Sequence, residues 1–131
     1  MATAEQIETY RVAFAVHFMQ LVIAADGVLD YAEFTHFGAE YPESDLVARG
    51  FLTPDGEFTD AFHDARIHGA LTLADALTLD DRLALLVSLH RLALADGVLA
   101  VEEYKTLAAC AERLGVPSEV LSKRLDEARF E

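Results

Sequence analysis

One five-residue segment that occurs twice constrains the fold of this chain more than any other feature. Ala25-Asp26-Gly27-Val28-Leu29 recurs as Ala95-Asp96-Gly97-Val98-Leu99, 70 residues further along the sequence. A glutamate stands seven residues after each aspartate, at Glu33 and at Glu103. Identity over five consecutive positions, with a matched glutamate, is typical of an internal repeat and indicates that the two regions share one local structure.

Each copy of the segment follows a long apolar stretch rich in residues that favour helices, over residues 4–25 and 80–95. The Asp-Gly pair ends each of these helices, because glycine readily adopts the left-handed conformation found after many helices. A second helix is predicted after each stop. The sequence therefore predicts two helical hairpins, over about residues 5–40 and 79–114, related by a pseudo-two-fold axis that packs the long helices at the centre.

The rest of the chain also carries helical signals. Pro54-Asp55-Gly56 is a strong turn signal, and Gly69 is expected to end the helix that precedes it. No sustained alternation of β-branched residues indicates a strand. We predict an all-α fold, a single domain over residues 1–131 that forms a bundle of about seven helices. The shorter helices are expected over residues 30–39, 43–49, 57–68, 101–114 and 117–129.

The charge of the chain limits its partners. The sequence contains ten basic and 23 acidic residues, so its net charge is −13. Nucleic acid is excluded as a partner because its binding depends on Lys and Arg that neutralise phosphates. Divalent cations, or a protein with a basic surface, are favoured instead. No signal peptide or membrane-spanning stretch is evident, which predicts a cytoplasmic protein without membrane insertion, and 53% hydrophobic residues are compatible with a homodimer.

Cysteine and histidine give weaker signals. Cys110 is the single cysteine and lies in an apolar helical run, which predicts a buried, inert thiol. The five histidines show no metal-binding spacing and are expected to be mostly core or surface residues. One alternative is that His17 and His90, on the two long helices, meet and bind zinc. Because no catalytic motif is present, we predict that the chain is not an enzyme.

The repeated acidic turn has two interpretations. In the structural interpretation, the aspartates accept hydrogen bonds from backbone N–H groups at the turn. Glu33 and Glu103 then stabilise the first turn of the next helix, because the helix dipole favours a negative charge there. In the functional one, the turns bind Ca²⁺ or Mg²⁺, which prefer oxygen ligands. The candidate metal ligands are Asp26, Asp30 and Glu33 in the first copy, and Asp96, Glu102 and Glu103 in the second. Since Ala100 replaces Asp30 in the second copy, the first copy is expected to bind better.

A long apolar helix followed by Ala-Asp-Gly-x-Leu-x-x-x-Glu, twice in one chain, resembles the TerB-like tellurite-resistance family. A related module occurs in some membrane-anchored DnaJ-like co-chaperones. The resemblance covers nearly the whole chain. It implies a bundle of seven helices or similar, a cytoplasmic location, a role linked to tellurite or general stress, and acidic residues that bind a divalent metal.

Two functions are therefore expected. The first is a non-enzymatic acidic module of a tellurite or stress-response type system, which binds a protein partner with a basic surface. The second is a protein that binds a divalent cation, such as calcium or magnesium, at the repeated turns. The first should tolerate the loss of the turn aspartates, and the second should not.

Overall fold

Seven helices make up most of the part of the chain that the computed structural model describes, residues 3–26, 35–95 and 100–128. This confirms the all-α prediction. Within those ranges, extended pairing is limited to one isolated bridge between Leu52 and Phe58. The helices are α1 (Ala4–Asp26), α2 (Thr35–Glu40), α3 (Glu43–Ala48), α4 (Asp60–Ala76), α5 (Leu79–Ala95), α6 (Ala100–Arg113) and α7 (Ser118–Ala128).

Local capping explains several helix ends. The Thr59 hydroxyl accepts a hydrogen bond from the Phe62 N–H and so begins α4. The Thr78 hydroxyl does the same for the Asp81 N–H at the start of α5. Both bonds satisfy an N–H group that has no partner inside its helix. Gly115 adopts a φ of 72° just beyond the end of α6. A glycine in this conformation ends a helix, as predicted for this position.

Helix α1 lies at the centre of the bundle, against α4, α5 and α6. Five consecutive α1 residues, 12–16, are buried, and so are Phe18, Met19 and Val22. The middle of α1 is thus buried on every side, which makes it a core helix, as the spread of its apolar residues predicted. Side chains from each of the other six helices join this same hydrophobic cluster, among them Phe37, Leu46, Phe62, Leu86, Leu107 and Leu121.

The prediction that Gly69 ends a helix was wrong. Helix α4 passes through Gly69 and continues to Ala76. A Cβ atom at position 69 would lie 3.0 Å from Cδ1 of Tyr10, a residue of α1. Glycine at this position therefore permits the close approach of α1 to α4 rather than a change of chain direction.

The two hairpins are described to different extents. In the second, α5 packs against α6, as predicted. In the first, the turn and Asp30, the first residue of the helix expected over residues 30–39, lie outside the described residues, so the pseudo-two-fold axis stays a prediction. The long helices α1 and α5 do touch, but the most extensive contact of α1 is with α4.

In the described ranges, no helix combines the length and the apolar character needed to cross a membrane.

Candidate functional site

Glu103 is a charged residue in the hydrophobic core. It is the fourth residue of α6, and its exposed fraction is 0%. The core-facing stripe of α6 consists of Glu103, Leu107, Cys110 and Ala111, all buried, and the buried Leu114 continues it just after the helix. Glu103 therefore occupies a position at which helical periodicity would place an apolar side chain.

One oxygen of the Glu103 carboxylate has a partner on the neighbouring helix. Its Oε2 lies 2.9 Å from Nδ1 of His90, a residue of α5 whose side chain is 20% exposed. When the imidazole is protonated, the contact is an ion pair; when it is neutral, an Nδ1–H group donates to the carboxylate. The bond connects the two helices of the second hairpin and fixes the orientation of the carboxylate.

The other oxygen of the same carboxylate has no partner among the described residues. Oε1 of Glu103 is buried and accepts no hydrogen bond from any residue that the structure describes. A buried acceptor left without a partner destabilises a fold by about 1–3 kcal/mol, and a charged one by more. A cation, a proton or a water molecule at Oε1 would remove this penalty.

The structure describes one of the six candidate ligands completely. Glu103 lies in the first turn of α6, as predicted, but its burial was not anticipated. Among the described side chains, no group of three or more His, Cys, Asp or Glu is placed to hold a metal ion. Asp30, Glu33 and Asp96 lie outside the described residues, and so do the side chains of Asp26, the last residue of α1, and Glu102 in α6.

Sequence reasoning did not identify His90 as the partner of Glu103. A signal was present in the repeat, because His90 corresponds to Gln20 when the two copies are aligned. The interval from His90 to Glu103 equals the interval from Gln20 to Glu33, which is 13 residues. In each copy, the long helix before the turn thus carries a side chain that can donate a hydrogen bond, and the glutamate follows the turn.

His17 lies in a different environment, close to two arginines. Nη1 of Arg66, on α4, lies 3.5 Å from Nδ1 of His17 on α1. Burial lowers the pKa of His17, and the positive charges of Arg66 and Arg113 lower it further. A hydrogen bond with Gln20 opposes these effects and raises the pKa. His17 and His90 thus have separate partners, Arg66 and Glu103, in place of the shared zinc site considered from the sequence.

Cys110 is buried, as predicted. Burial raises the pKa of its thiol to about 11, although the nearby Arg113 opposes the rise. The thiol is therefore protonated at neutral pH, whereas a reactive cysteine is a thiolate.

A surface groove of about 460 Å³ lies between the end of α2, α5 and α7. Its lining combines apolar side chains, such as Tyr41 and Leu92, with the arginines Arg91 and Arg124. Neither Glu103 nor His90 lines it. The groove is therefore separate from the buried carboxylate.

Comparisons of the chain with protein-family models, with curated proteins and with solved structures gave no match. The resemblance to the TerB-like family stays a prediction from the repeated motif.

Proposed function

We propose that this chain binds a divalent cation of the Ca²⁺ or Mg²⁺ class at the second Ala-Asp-Gly-Val-Leu turn, with Glu103 as a buried ligand. The observation that carries the proposal is the oxygen Oε1 of a fully buried carboxylate, which has no hydrogen-bond partner among the described residues. A buried charge requires a partner, and oxygen is the ligand that both ions prefer. The hydrogen bond from His90 occupies Oε2 and leaves Oε1 for the ion.

The sequence around Glu103 supports a cation rather than a proton. Glu102 precedes Glu103 directly, and Asp96 stands seven residues before it in the repeated turn. A net charge of −13 raises the local concentration of cations around the chain. Asp26, Asp30 and Glu33 form the corresponding set in the first copy, which has one more aspartate at the turn.

Thermal unfolding tests this proposal. The wild type is melted in chelator and then in millimolar CaCl₂, MgCl₂ or MnCl₂ at constant ionic strength. An ion at a hundred times its Kd stabilises the folded state by about 2.7 kcal/mol, which raises the Tm of a domain of this size by several degrees. Glu103→Gln keeps the shape of the side chain but removes its charge, and we expect it to lose the rise.

Two sets of variants make the test specific. Glu112→Gln is the matched control, because Glu112 is an exposed glutamate on the same helix, and it should keep the full rise. Asp26→Asn and Asp96→Asn distinguish the two copies, and Asp96→Asn should reduce the rise more, because Asp96 belongs to the same turn as Glu103. No rise in the wild type with any of the three ions, or an equal rise in Glu103→Gln, would contradict the proposal.

A second candidate function rests on the outer surface of α4. Five exposed residues share one helical stripe, which we call the α4 stripe: Asp60, Asp64, Ile67, Leu71 and Asp75. Ile67 is 53% exposed and Leu71 is 69% exposed. Two neighbouring apolar side chains flanked by carboxylates form a surface complementary to an amphipathic, basic partner. We propose that the stripe binds such a protein partner, within the stress-response role that the TerB-like resemblance implies.

A synthetic amphipathic helix of leucine and lysine serves as the probe for the α4 stripe. Asp64→Lys/Asp75→Lys should weaken its binding by about tenfold or more, because like charges then face each other across the interface. Glu112→Lys/Asp126→Lys, which makes the same change of charge at exposed positions on α6 and α7, should weaken it much less. Equal weakening in both variants would show that net charge alone attracts the peptide and would refute this function.

A further inference from the structure

We infer that His17, Arg66 and Arg113 form a binding site for a small oxyanion of the phosphate class, where α1, α4 and α6 meet. The site is distinct from Glu103 and does not depend on the cation proposal. The inference rests on the convergence of cationic side chains, on the lack of a carboxylate partner for the two arginines among the described residues, and on the N–H donors that they leave available.

The three side chains converge from three helices. Arg66 bridges two histidines, since its Nε donates to Nδ1 of His63 at 3.2 Å and its Nη1 lies 3.5 Å from Nδ1 of His17. Nη2 of Arg113 donates to the backbone carbonyl of Arg66 at 2.6 Å. The Arg113 side chain is thereby held beside Arg66, although both carry a positive charge.

No carboxylate neutralises this cluster in the part of the chain that the structure describes. Arg49 and Arg124, by contrast, pair with Asp45 and Asp80. Acidic residues outnumber basic ones by 23 to 10, so carboxylate partners are abundant elsewhere in the sequence. Among the described residues, Arg66 and Arg113 are therefore neighbouring positive charges that no carboxylate pairs with, in a protein that is acidic overall.

The electrostatic environment of His17 agrees with this description. Arg66 and Arg113 both lower the pKa of His17, and no acidic group in the described part of the chain acts in the opposite direction. An anion bound between the two guanidinium groups would offset their charge. The pKa of His17 should then rise towards its ordinary value.

The available donors suit an oxyanion. A guanidinium has five N–H donors in a planar fork that matches the oxygens of phosphate or carboxylate. The contacts described above leave Nη2 of Arg66 and Nη1 of Arg113 without a protein acceptor among the described residues. Arg66 and Arg113 are part-exposed and His63 is exposed, so a ligand can approach from solvent. A small anion also meets far less repulsion from a net charge of −13 than a nucleic acid would.

The experiment is an NMR titration of histidine-labelled protein with sodium phosphate at constant ionic strength. The imidazole signal of His17 should shift to saturation, and its pKa should be higher at saturating phosphate than in chloride alone. Sodium sulfate should compete for the site, because it is an oxyanion of similar shape. Sodium chloride should not compete.

Arginine variants define the site. Arg66→Gln and Arg113→Gln should each raise the Kd for phosphate by tenfold or more. Arg124→Gln is the matched control and should leave the Kd unchanged, because Arg124 already pairs with carboxylates. Circular dichroism checks that each variant folds, and Arg66→Lys, which keeps the charge but loses the planar fork, serves if Arg66→Gln does not fold. A shift that does not saturate, an equal shift with chloride, or unchanged Kd in the arginine variants would overturn the inference.

Discussion

The contact between Glu103 and His90 is asymmetric, because one residue is fully buried and the other reaches solvent. Removing His90 leaves a buried carboxylate with neither oxygen paired. Removing Glu103 leaves an imidazole that is 20% exposed and can be hydrated. The two residues therefore contribute unequally to stability, although they share a single hydrogen bond.

This asymmetry gives a prediction for urea unfolding in the presence of chelator. His90→Ala should destabilise the fold by about 3 kcal/mol or more, the usual effect of leaving a buried charge without its partner. Glu103→Leu should destabilise it less, because leucine suits the apolar surroundings of position 103. A larger loss in Glu103→Leu than in His90→Ala would show that the carboxylate is neutralised by something other than His90.

His17 gives a prediction for pH. Its pKa is lowered in the folded state, so the unfolded chain takes up the proton first as the pH falls below about 6.5. The folded state then loses stability down to the lowered pKa, by at most about 1.4 kcal/mol per pH unit for one proton. Urea unfolding at several pH values between neutrality and 5 should therefore show a steeper loss for the wild type than for His17→Gln. Parallel curves would contradict this assignment.

At the scale of the helix, two glycines allow a matched comparison. A Cβ atom at Gly69 would meet the Cδ1, Cβ and Cγ atoms of Tyr10 at 3.0–3.2 Å, whereas a Cβ atom at Gly38 in α2 meets no atom within 4 Å. Gly38→Ala should stabilise the fold by up to about 1 kcal/mol through helix propensity. Gly69→Ala should destabilise it by about 1–3 kcal/mol, because the Cβ of Tyr10 moves only if α1 moves. Chemical unfolding of both variants measures the difference, and equal stabilisation would show that α1 can shift freely.

Sequence reasoning predicted those helix ends that depend on residues close in the chain. The stops near Gly50 and Gly115 are examples, since each involves the backbone within a few residues. It failed at Gly69 because the reason for that glycine is Tyr10, which is distant in the sequence. It missed the partner of Glu103 for a similar reason, since the contact with His90 depends on how α5 packs against α6.

At the scale of the whole molecule, the excess of acidic residues opposes compaction. A net charge of −13 makes exposed carboxylates repel one another in the folded state. Added salt screens this repulsion, because the Debye length falls from about 30 Å at 0.01 M to about 8 Å at 0.15 M.

Tm should therefore rise as NaCl is raised from low to physiological concentration, without any specific ion. Tetramethylammonium chloride should raise the Tm to a similar extent. Its cation is bulky and monovalent, so a similar rise reports general charge screening rather than binding of an ion at a specific site. A fall in Tm would mean that ion pairs such as Arg49–Asp45 contribute more to stability than the general repulsion reduces it.

The fold class could be predicted from the sequence because helix periodicity, apolar content and glycine placement are local properties of the chain. The arrangement of the helices could not. The repeat drew attention to α1 and α5 as the central pair, whereas α4, which belongs to neither copy, packs most extensively on α1. The basic cluster around Arg66 could not be predicted from the sequence either, since its members come from three separate helices.

The central position of α1 has a consequence for the order in which the chain folds. Helices α5, α6 and α7 contact their neighbours in sequence, so their association closes only short loops. Helix α1 reaches α6 only after a loop from Asp26 to Ala100 has closed, and the entropy lost on closure grows with loop length. We therefore expect the C-terminal three helices to form the folding nucleus and α1 to dock late. Until it docks, α1, the most apolar of the described helices, exposes its apolar side chains to solvent, which favours aggregation of the partly folded chain.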